Sequence, residues 1–358
     1  MSYDIVVVGG GIGGLTTAAL LSARGMNTCL LERQSQVGGC IARVEFGGYD
    51  FEPGMGLYTG FGPDGIYEKL FSELPVELPR VSLLSSPHVT RLIDGTDVQS
   101  NQENFYDIAG GPASLAERLC ESIKRSGGNL RLNSPVLRLS YDESGRASGV
   151  DLLSGERVFA KRAIISNLTI WDTYGKLVGL NRTPPEIKKR LNALHGTGVY
   201  VVYASIEEGA VARLPSERLL VKDSEGEFTL AIASHQAPAG KRAVTMTTRT
   251  DVEPWFSYQS SEEEYEEWDQ DALAHSWGRL HAALPELGSD IEVIETANPR
   301  TYYDLTRRKL GMVLGTEPSS EGAKTFLPNL YIIGDTVSPA AQLDSVVQSA
   351  LSLVDGIL

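Results

Sequence analysis

The stretch that most constrains this chain is its first, Asp4 to Gly14, which reads D-I-V-V-V-G-G-G-I-G-G. Ile5 to Val8 are apolar and β-branched, the pattern of a buried parallel strand. Gly9, Gly11 and Gly14 then set a G-x-G-x-x-G spacing around Ile12 and Gly13, and Leu15 to Ala23 read as a helix. In such a turn one glycine permits the tight bend, one lets a pyrophosphate approach the backbone, and one lets helix and strand pack closely. The unpaired N–H groups and dipole at the helix start favour negative charge. A second apolar strand, Thr28 to Leu31, ends in Glu32, at the distance where an acidic residue takes the ribose hydroxyls of an adenosine half. A glycine-rich turn alone is a common loop. Strand, helix and Glu32 together predict dinucleotide binding, and Glu32 argues against a 2′-phosphate, because two negative groups repel.

With 358 residues the chain is long enough for two domains and a sizeable core. Its net charge of −14 disfavours nucleic acid and anionic membrane surfaces, which demand basic patches. Cys29, Cys40 and Cys120 are odd in number and show no C-x-x-C spacing, which points to a reducing compartment. The five histidines show no metal-ligand spacing, so no metal is expected. No apolar run reaches the ~18–20 residues that span a bilayer, and the N-terminus reads as a strand rather than a signal peptide. A cytoplasmic location is expected; peripheral membrane contact stays open, and no oligomeric state is assigned.

After Glu32 and Arg33 come Gly38, Gly39, Cys40 and Arg43, then G-G-Y-D-F-E-P-G-M-G from Gly47 to Gly56. A strand-ending Glu, a Gly-Gly pair and G-Y-x-F-[D/E]-x-G resemble FAD-dependent oxidoreductases of the phytoene desaturase and amine oxidase superfamily. Cys40 stands where many members have arginine, which looks more like the carotenoid isomerase and retinol saturase branch. The resemblance implies FAD as cofactor, held near the Gly-Gly pair by Arg33 and Cys40, with Gly54, Met55 and Gly56 along the flavin. Arg43 is either a phosphate partner or a surface charge. Tyr58, Phe61, Tyr67 and Phe71 read as core rather than a substrate box.

The family pattern returns at F-Y-D-I-A-G-G-P-A-S-L-A-E-R-L from Phe105. Ser114 with Glu117 predicts a capping box for the helix that follows. By resemblance, backbone groups of Val136 hold the adenine, and the strand ending at Ser166-Asn167 returns the chain to the cofactor. Between Thr183 and Ile294 a Pro-initiated helix, strands over 199–205, 228–234 and 243–249, and a helix over 262–284 predict a sheet-and-helix unit with antiparallel pairing. The Glu262-Glu263-Glu264 cluster is read as solvated surface. Asn298 to Tyr303 resembles the family's re-entry motif, with Gly311 and Gly315 nearby. Arg300 and Tyr302 are weak candidates for catalysis there, with Arg300 as a mere anchor the alternative. The last motif, N-L-Y-I-I-G-D from Asn329, ends in Gly334 and Asp335 before a helix over 345–358. Its aspartate is implied at the ribityl chain or phosphate, with Asp344, Ser345 and Val346 where that helix aims at the flavin.

The expected fold is α/β. A discontinuous Rossmann-type FAD-binding domain (1–56, 105–170 and 296–358) would carry an inserted, smaller mixed α+β substrate domain (57–104 and 171–295). With one dinucleotide fingerprint, no separate nicotinamide is expected. The implied reaction is hydride transfer from a C–H bond of a small, hydrophobic substrate to flavin N5, giving a desaturated product. Alternatives are an amine or porphyrinogen oxidase, a flavin-dependent isomerase, and a non-catalytic binding protein similar to GDP-dissociation inhibitors.

Overall fold

The computed structural model describes residues 1–84, 88–99, 104–256, 261–313, 323–338 and 342–357. The first strand is Ser2–Val8, parallel to both Thr28–Leu31 and residues 159–166 of Arg157–Ser166. Asn129–Arg131 extends this sheet beyond Thr28–Leu31, and Leu330–Ile332 pairs with Arg157–Ser166, both in parallel. The first half of Arg157–Ser166 instead carries an antiparallel meander of Val136–Tyr141 and Ala147–Leu152.

Alternation along the first strand explains why the sheet sits in the interior. Ile5 and Val7 face one layer of core, together with Leu30 and Ile165. Val6 and Val8 face the opposite layer, with Leu31, Ile164 and Tyr174. A strand buried on both faces must be apolar at every position, which is how this one reads. The helix Ile12–Ala23 is covered in turn by the helices Ala113–Arg125 and Leu343–Ile357. Its Leu15, Leu20 and Leu21 are fully buried, and each contributes about 1.5–3 kcal/mol. Tyr67 and Phe61 stack at 4.0 Å within the same core, and Phe71 joins them, as expected of these aromatics.

The second sheet has the order 291–297, 198–207, 241–250, 226–232, 218–223, 89–91, 97–99. The three expected strands are Gly198–Glu207, Gly226–Ile232 and Lys241–Thr250. One pairing departs from the antiparallel expectation: Arg218–Asp223 runs parallel to Val89–Arg91, a strand drawn from far upstream. Tyr200, Val202, Ala204 and Ile206 face Leu280 and Leu284 at the end of the helix Glu262–Ala283. Val199, Val201 and Tyr203 face the other way, onto Tyr49 and Phe51.

Local signals failed at two helix starts. Ser114 is not a cap; Pro112 stands at the N-cap of Ala113–Arg125, and the Ser114 hydroxyl donates to the Gly111 carbonyl at 2.7 Å. Pro112 has φ fixed near the helical value, so the turn begins ahead of Ser114. The Asn298 segment, read in sequence only as a re-entry motif, forms a capped helix, Pro299–Thr306, in which the Asn298 side chain accepts from the Arg300 and Thr301 N–H groups. The last helix begins at Leu343, so Asp344 and Ser345 lie in its first turn. Leu358 and Gly315 fall outside the described residues.

Candidate functional site

The parallel strands Ser2–Val8, Thr28–Leu31, Arg157–Ser166 and Leu330–Ile332 all deliver their carboxyl ends to one edge of the first sheet. In open α/β sheets this is where the crevice for a ligand lies. The residues that follow these ends are Gly9, Glu32, Asn167 and, after Ile333, Gly334. They line a cavity of about 340 Å³.

The glycine loop is shaped by close contacts. A β-carbon at Gly11 would lie 2.7 Å from Asn167 Nδ2, and one at Gly13 2.7 Å from Asn167 Oδ1. A β-carbon at Gly14 would collide with the Gly9 carbonyl. Asn167 is itself held by its N–H donating to the Val8 carbonyl at 2.8 Å. The N-cap residue of the helix Ile12–Ala23 is Gly11, so no side chain caps that end, and its first turn holds no acidic residue. Gly38 donates to the Gly10 carbonyl at 2.8 Å, which lays the Gly-Gly pair across the loop.

Glu32 uses both oxygens: Oε2 accepts from the Gly10 N–H at 2.6 Å and Oε1 from the Gln34 N–H at 2.8 Å. A carboxylate has about four acceptor sites, so two remain. Arg33 Nη2 donates to the Asp304 and Leu305 carbonyls, at the end of the helix Pro299–Thr306. That contact ties the re-entry segment to the cavity wall.

Of the residues singled out in sequence, Gly9, Gly11, Ile12, Gly13, Glu32, Arg33, Gly38, Gly39, Cys40, Val136, Asn167, Gly334, Asp335 and Val346 line this cavity. The others do not. Gly14 lies behind it, at the helix–strand contact. Arg43 is engaged by Asp50 at 2.9 Å and by Glu45 and Glu117, each at 3.7 Å. The Gly54, Met55 and Gly56 segment lies beside the second sheet, where the Gly56 carbonyl accepts from Arg218 Nε at 3.2 Å. Asp344 accepts from the Thr59 hydroxyl at 2.7 Å and from the Ser345 N–H at 2.7 Å. The Arg300 guanidinium stacks over the Tyr265 ring at 4.2 Å, an anchoring contact for its helix. Tyr302 packs into the aromatic cluster around Tyr203, and burial pushes its phenol far up. Burial likewise pushes Tyr203 up to about 12.

The sequence reading missed the turn that follows Thr306. Arg307 and Leu310 both adopt left-handed φ, 57° and 51°, a conformation costing non-glycine residues about 1–3 kcal/mol. This turn carries Arg308 inward until it is 5% exposed. Its Nη2 lies 3.7 Å from Cys40 Sγ, and its guanidinium pairs with Asp335. No periodicity or motif marks such a residue, because two unusual φ angles aim it.

A model of the flavin-containing amine oxidoreductase family matches residues 82–358, and one of an NAD(P)-binding Rossmann-like domain matches residues 7–74. The chain belongs to the flavin-containing amine oxidoreductase family. Its cofactor is FAD. Among curated relatives, the chloroplastic prolycopene isomerase of Arabidopsis thaliana is 29% identical over 269 residues, covering 68% of this chain and 44% of that protein. A carotenoid 3,4-desaturase of Haloarcula japonica is 42% identical over 69 residues, 19% of this chain and 13% of that one. The chain thus spans about half the length, or less, of such relatives. Among solved structures, an oxidoreductase from Methanosarcina mazei superposes with a TM-score of 0.75 at 16% identity, over 99% of this chain and all of that one. Putrescine oxidase bound to putrescine gives 0.70 at 13% identity, over 100% of this chain and 99% of that one. At those identities the likeness establishes the fold.

Proposed function

We propose that this chain is a phytoene desaturase-like, FAD-dependent oxidoreductase acting on a small, hydrophobic substrate, with desaturation of a C–C bond as the outcome. The observation that carries it is a glycine-lined cavity at the carboxyl edge of the first sheet, with Glu32 and Asp335 among its lining residues. Bound FAD supplies a two-electron acceptor for a hydride. In this reading the two free acceptor sites of Glu32 take ribose hydroxyls. The uncapped start of the helix Ile12–Ala23 and the side-chain-free Gly11 and Gly39 receive the pyrophosphate. Val136 offers its backbone to the adenine, and Asp335 lies toward the ribityl chain. Residues 1–56, 105–170 and 296–358 form the cofactor domain and residues 57–104 and 171–295 the substrate domain, with Asp172, Lys176 and Leu177 of the latter also lining the cofactor cavity. The support for that division is that the strands of the first sheet all come from the former set.

Tyr49 and Phe51 cover the apolar face of the second sheet formed by Val199, Val201 and Tyr203, so the hydrophobic substrate is supported by the relatives, a carotenoid desaturase and prolycopene isomerases, rather than by that face. No catalytic acid or base is assigned, since Arg300 and Tyr302 both stand off the cavity. A cytoplasmic setting is part of the proposal, supported by three free cysteines. No helix among the described residues is long and apolar enough to cross a membrane. A second reading, redox-neutral isomerisation, is favoured by the prolycopene isomerases among the relatives.

The test is spectroscopic. The purified chain with FAD is expected to absorb near ~450 nm and to bleach with dithionite, as a bound flavin does. Anaerobic addition of candidate polyenes and amines follows. Bleaching by a polyene with formation of a new C=C bond supports desaturation. Rearrangement of a polyene only after prior reduction supports isomerisation, and bleaching by amines alone moves the protein to the amine oxidases. A chain that takes up no FAD sinks all three.

A further inference from the structure

We infer that Arg308 is the buried cation that binds the pyrophosphate of the dinucleotide, an assignment that rests on the FAD reading above. Four cationic side chains line the cavity: Arg33, Lys176, Arg307 and Arg308. Arg33 is committed to two backbone carbonyls. Lys176 is exposed and paired with Asp172 at 2.9 Å. Arg307 lies over the Tyr303 ring and 3.4 Å from Asp304. Arg308 alone of the four is buried: Nη1 donates to the Met312 carbonyl at 3.4 Å, Nη2 reaches Cys40 and Asp335, and the enclosed Nε has no hydrogen-bond partner among the described residues.

A buried guanidinium with an idle donor is costly unless something accepts from it. Its position says what that is. Arg308 Nη2 touches Cys40, the residue immediately after the Gly38-Gly39 pair. That pair lies on the glycine loop, where a β-carbon at Gly39 would meet Gly11 Cα at 3.4 Å. Arg308, paired with Asp335, therefore lines the same cavity as the uncapped start of the helix Ile12–Ala23. The fork of a guanidinium matches the oxygens of a phosphate, and its charge offsets the repulsion that Asp335 would exert on one. Arg43, the arginine nearest the Gly-Gly pair in sequence, is held away by three carboxylates. The cation comes instead from the far end of the chain, on a turn held by the left-handed Arg307 and Leu310.

The experiment strips nucleotide from the full chain and titrates wild type and Arg308→Met with FAD, ADP and adenosine, with circular dichroism as a fold control. Wild type is expected to prefer ADP to adenosine. Arg308→Met is expected to lose about 10- to 100-fold in affinity for FAD and ADP, as removal of a charge-assisted bond implies, with adenosine binding unchanged. The double variant Arg308→Met/Asp335→Asn separates phosphate binding from mere neutralisation of Asp335. It is expected to keep the ADP defect. Recovery of wild-type ADP affinity in the double variant overturns the inference, and so does an equal loss for ADP and adenosine in the single one. If the methionine chain does not fold, Arg308→Gln carries the same prediction. A wild-type chain that binds no FAD overturns the functional reading instead, whatever the variants do.

Discussion

The two sheets of this protein handle buried polar groups in opposite ways. At the edge of the first, polar groups are left unsatisfied among the described residues: an uncapped helix start, a carboxylate with spare acceptor sites, a buried guanidinium Nε. Beside the second, they close on one another. Glu52, 3% exposed, accepts from the Tyr58 hydroxyl on one oxygen and lies 2.6 Å from His235 Nε2 on the other. The Thr245 hydroxyl donates to the Glu52 carbonyl at 2.8 Å, and Arg218 bridges Gly56 and Asp107. A closed network orders a core, whereas open donors around a cavity await a ligand. The contrast supports the proposal that recognition lies at the first sheet, while the Glu52 cluster fixes the 52–58 segment against the second.

The largest effect expected from this contrast follows Gly14→Val. Its β-carbon would strike the Gly9 carbonyl and come within 3.2 Å of Asn167 Cβ, both backed by fully buried strands. Neither can yield, so the helix must move off the sheet at a cost of about 1–3 kcal/mol or more. FAD binding should be lost while the second sheet persists. Fluorescence titration and thermal unfolding check it. Retained FAD affinity would break the claim that the cavity is a property of tightly packed backbone.

That dependence on backbone explains what could be read in advance. The strand over 2–8, the glycine spacing and Glu32 are short-range signals: each residue type is forced by the φ angle, contact or charge at its own position. Fourteen of the named cofactor residues accordingly face one cavity. Arg43, Arg300 and Tyr302 carry suitable chemistry, but Asp50 across a short hairpin and the sequence-distant Tyr265 and Tyr203 engage them. The Glu52–His235 pair joins residues 183 positions apart, so no window of sequence contains both. Arg308 escaped for the same reason, since its placement depends on how a strained turn docks onto a distant glycine pair.

A middle-sized effect tests the closed cluster through pH. Hydrogen bonding to Glu52 raises the His235 pKa above its usual value, against the opposing pull of burial, and Asp50 and Asp107 add attraction. The other charged groups of the cluster are Arg218, bonded to Asp107, and Arg43, bonded to Asp50. Because the folded pKa is the higher one, the pair's contribution is fully present below the unfolded value of about 6.5. It is lost as pH rises through the folded value. A bond to a charged group is worth roughly 1.5–3 kcal/mol. The melting temperature of wild type is expected to fall relative to that of His235→Gln as pH rises from the acid side of that window, while FAD affinity changes little. Parallel pH profiles for the two chains would show that folding does not shift the His235 pKa, and a rise of wild type relative to His235→Gln would show that the fold holds it unprotonated.

The smallest effect is the sharpest on the question of which arginine faces the cofactor. Arg43 is about a third exposed, with its charge shared among Asp50, Glu45 and Glu117. Such pairs contribute about 0–1 kcal/mol. Burial raises the Asp50 pKa, with Arg43 pulling the other way, so removing Arg43 makes Asp50 easier to protonate rather than leaving a costly buried charge. Arg43→Ala is therefore expected to lower stability by less than about 1 kcal/mol and to leave ADP and FAD affinity at the wild-type level. The check is the same titration applied to Arg308, run side by side. Two arginines that stand close to the Gly-Gly pair, one in sequence and one in space, then give opposite answers. A loss of ADP affinity in Arg43→Ala comparable to that of Arg308→Met would mean that Arg43 leaves its carboxylates to reach the phosphates, and that a closed ion pair is no guide to what a site recognises.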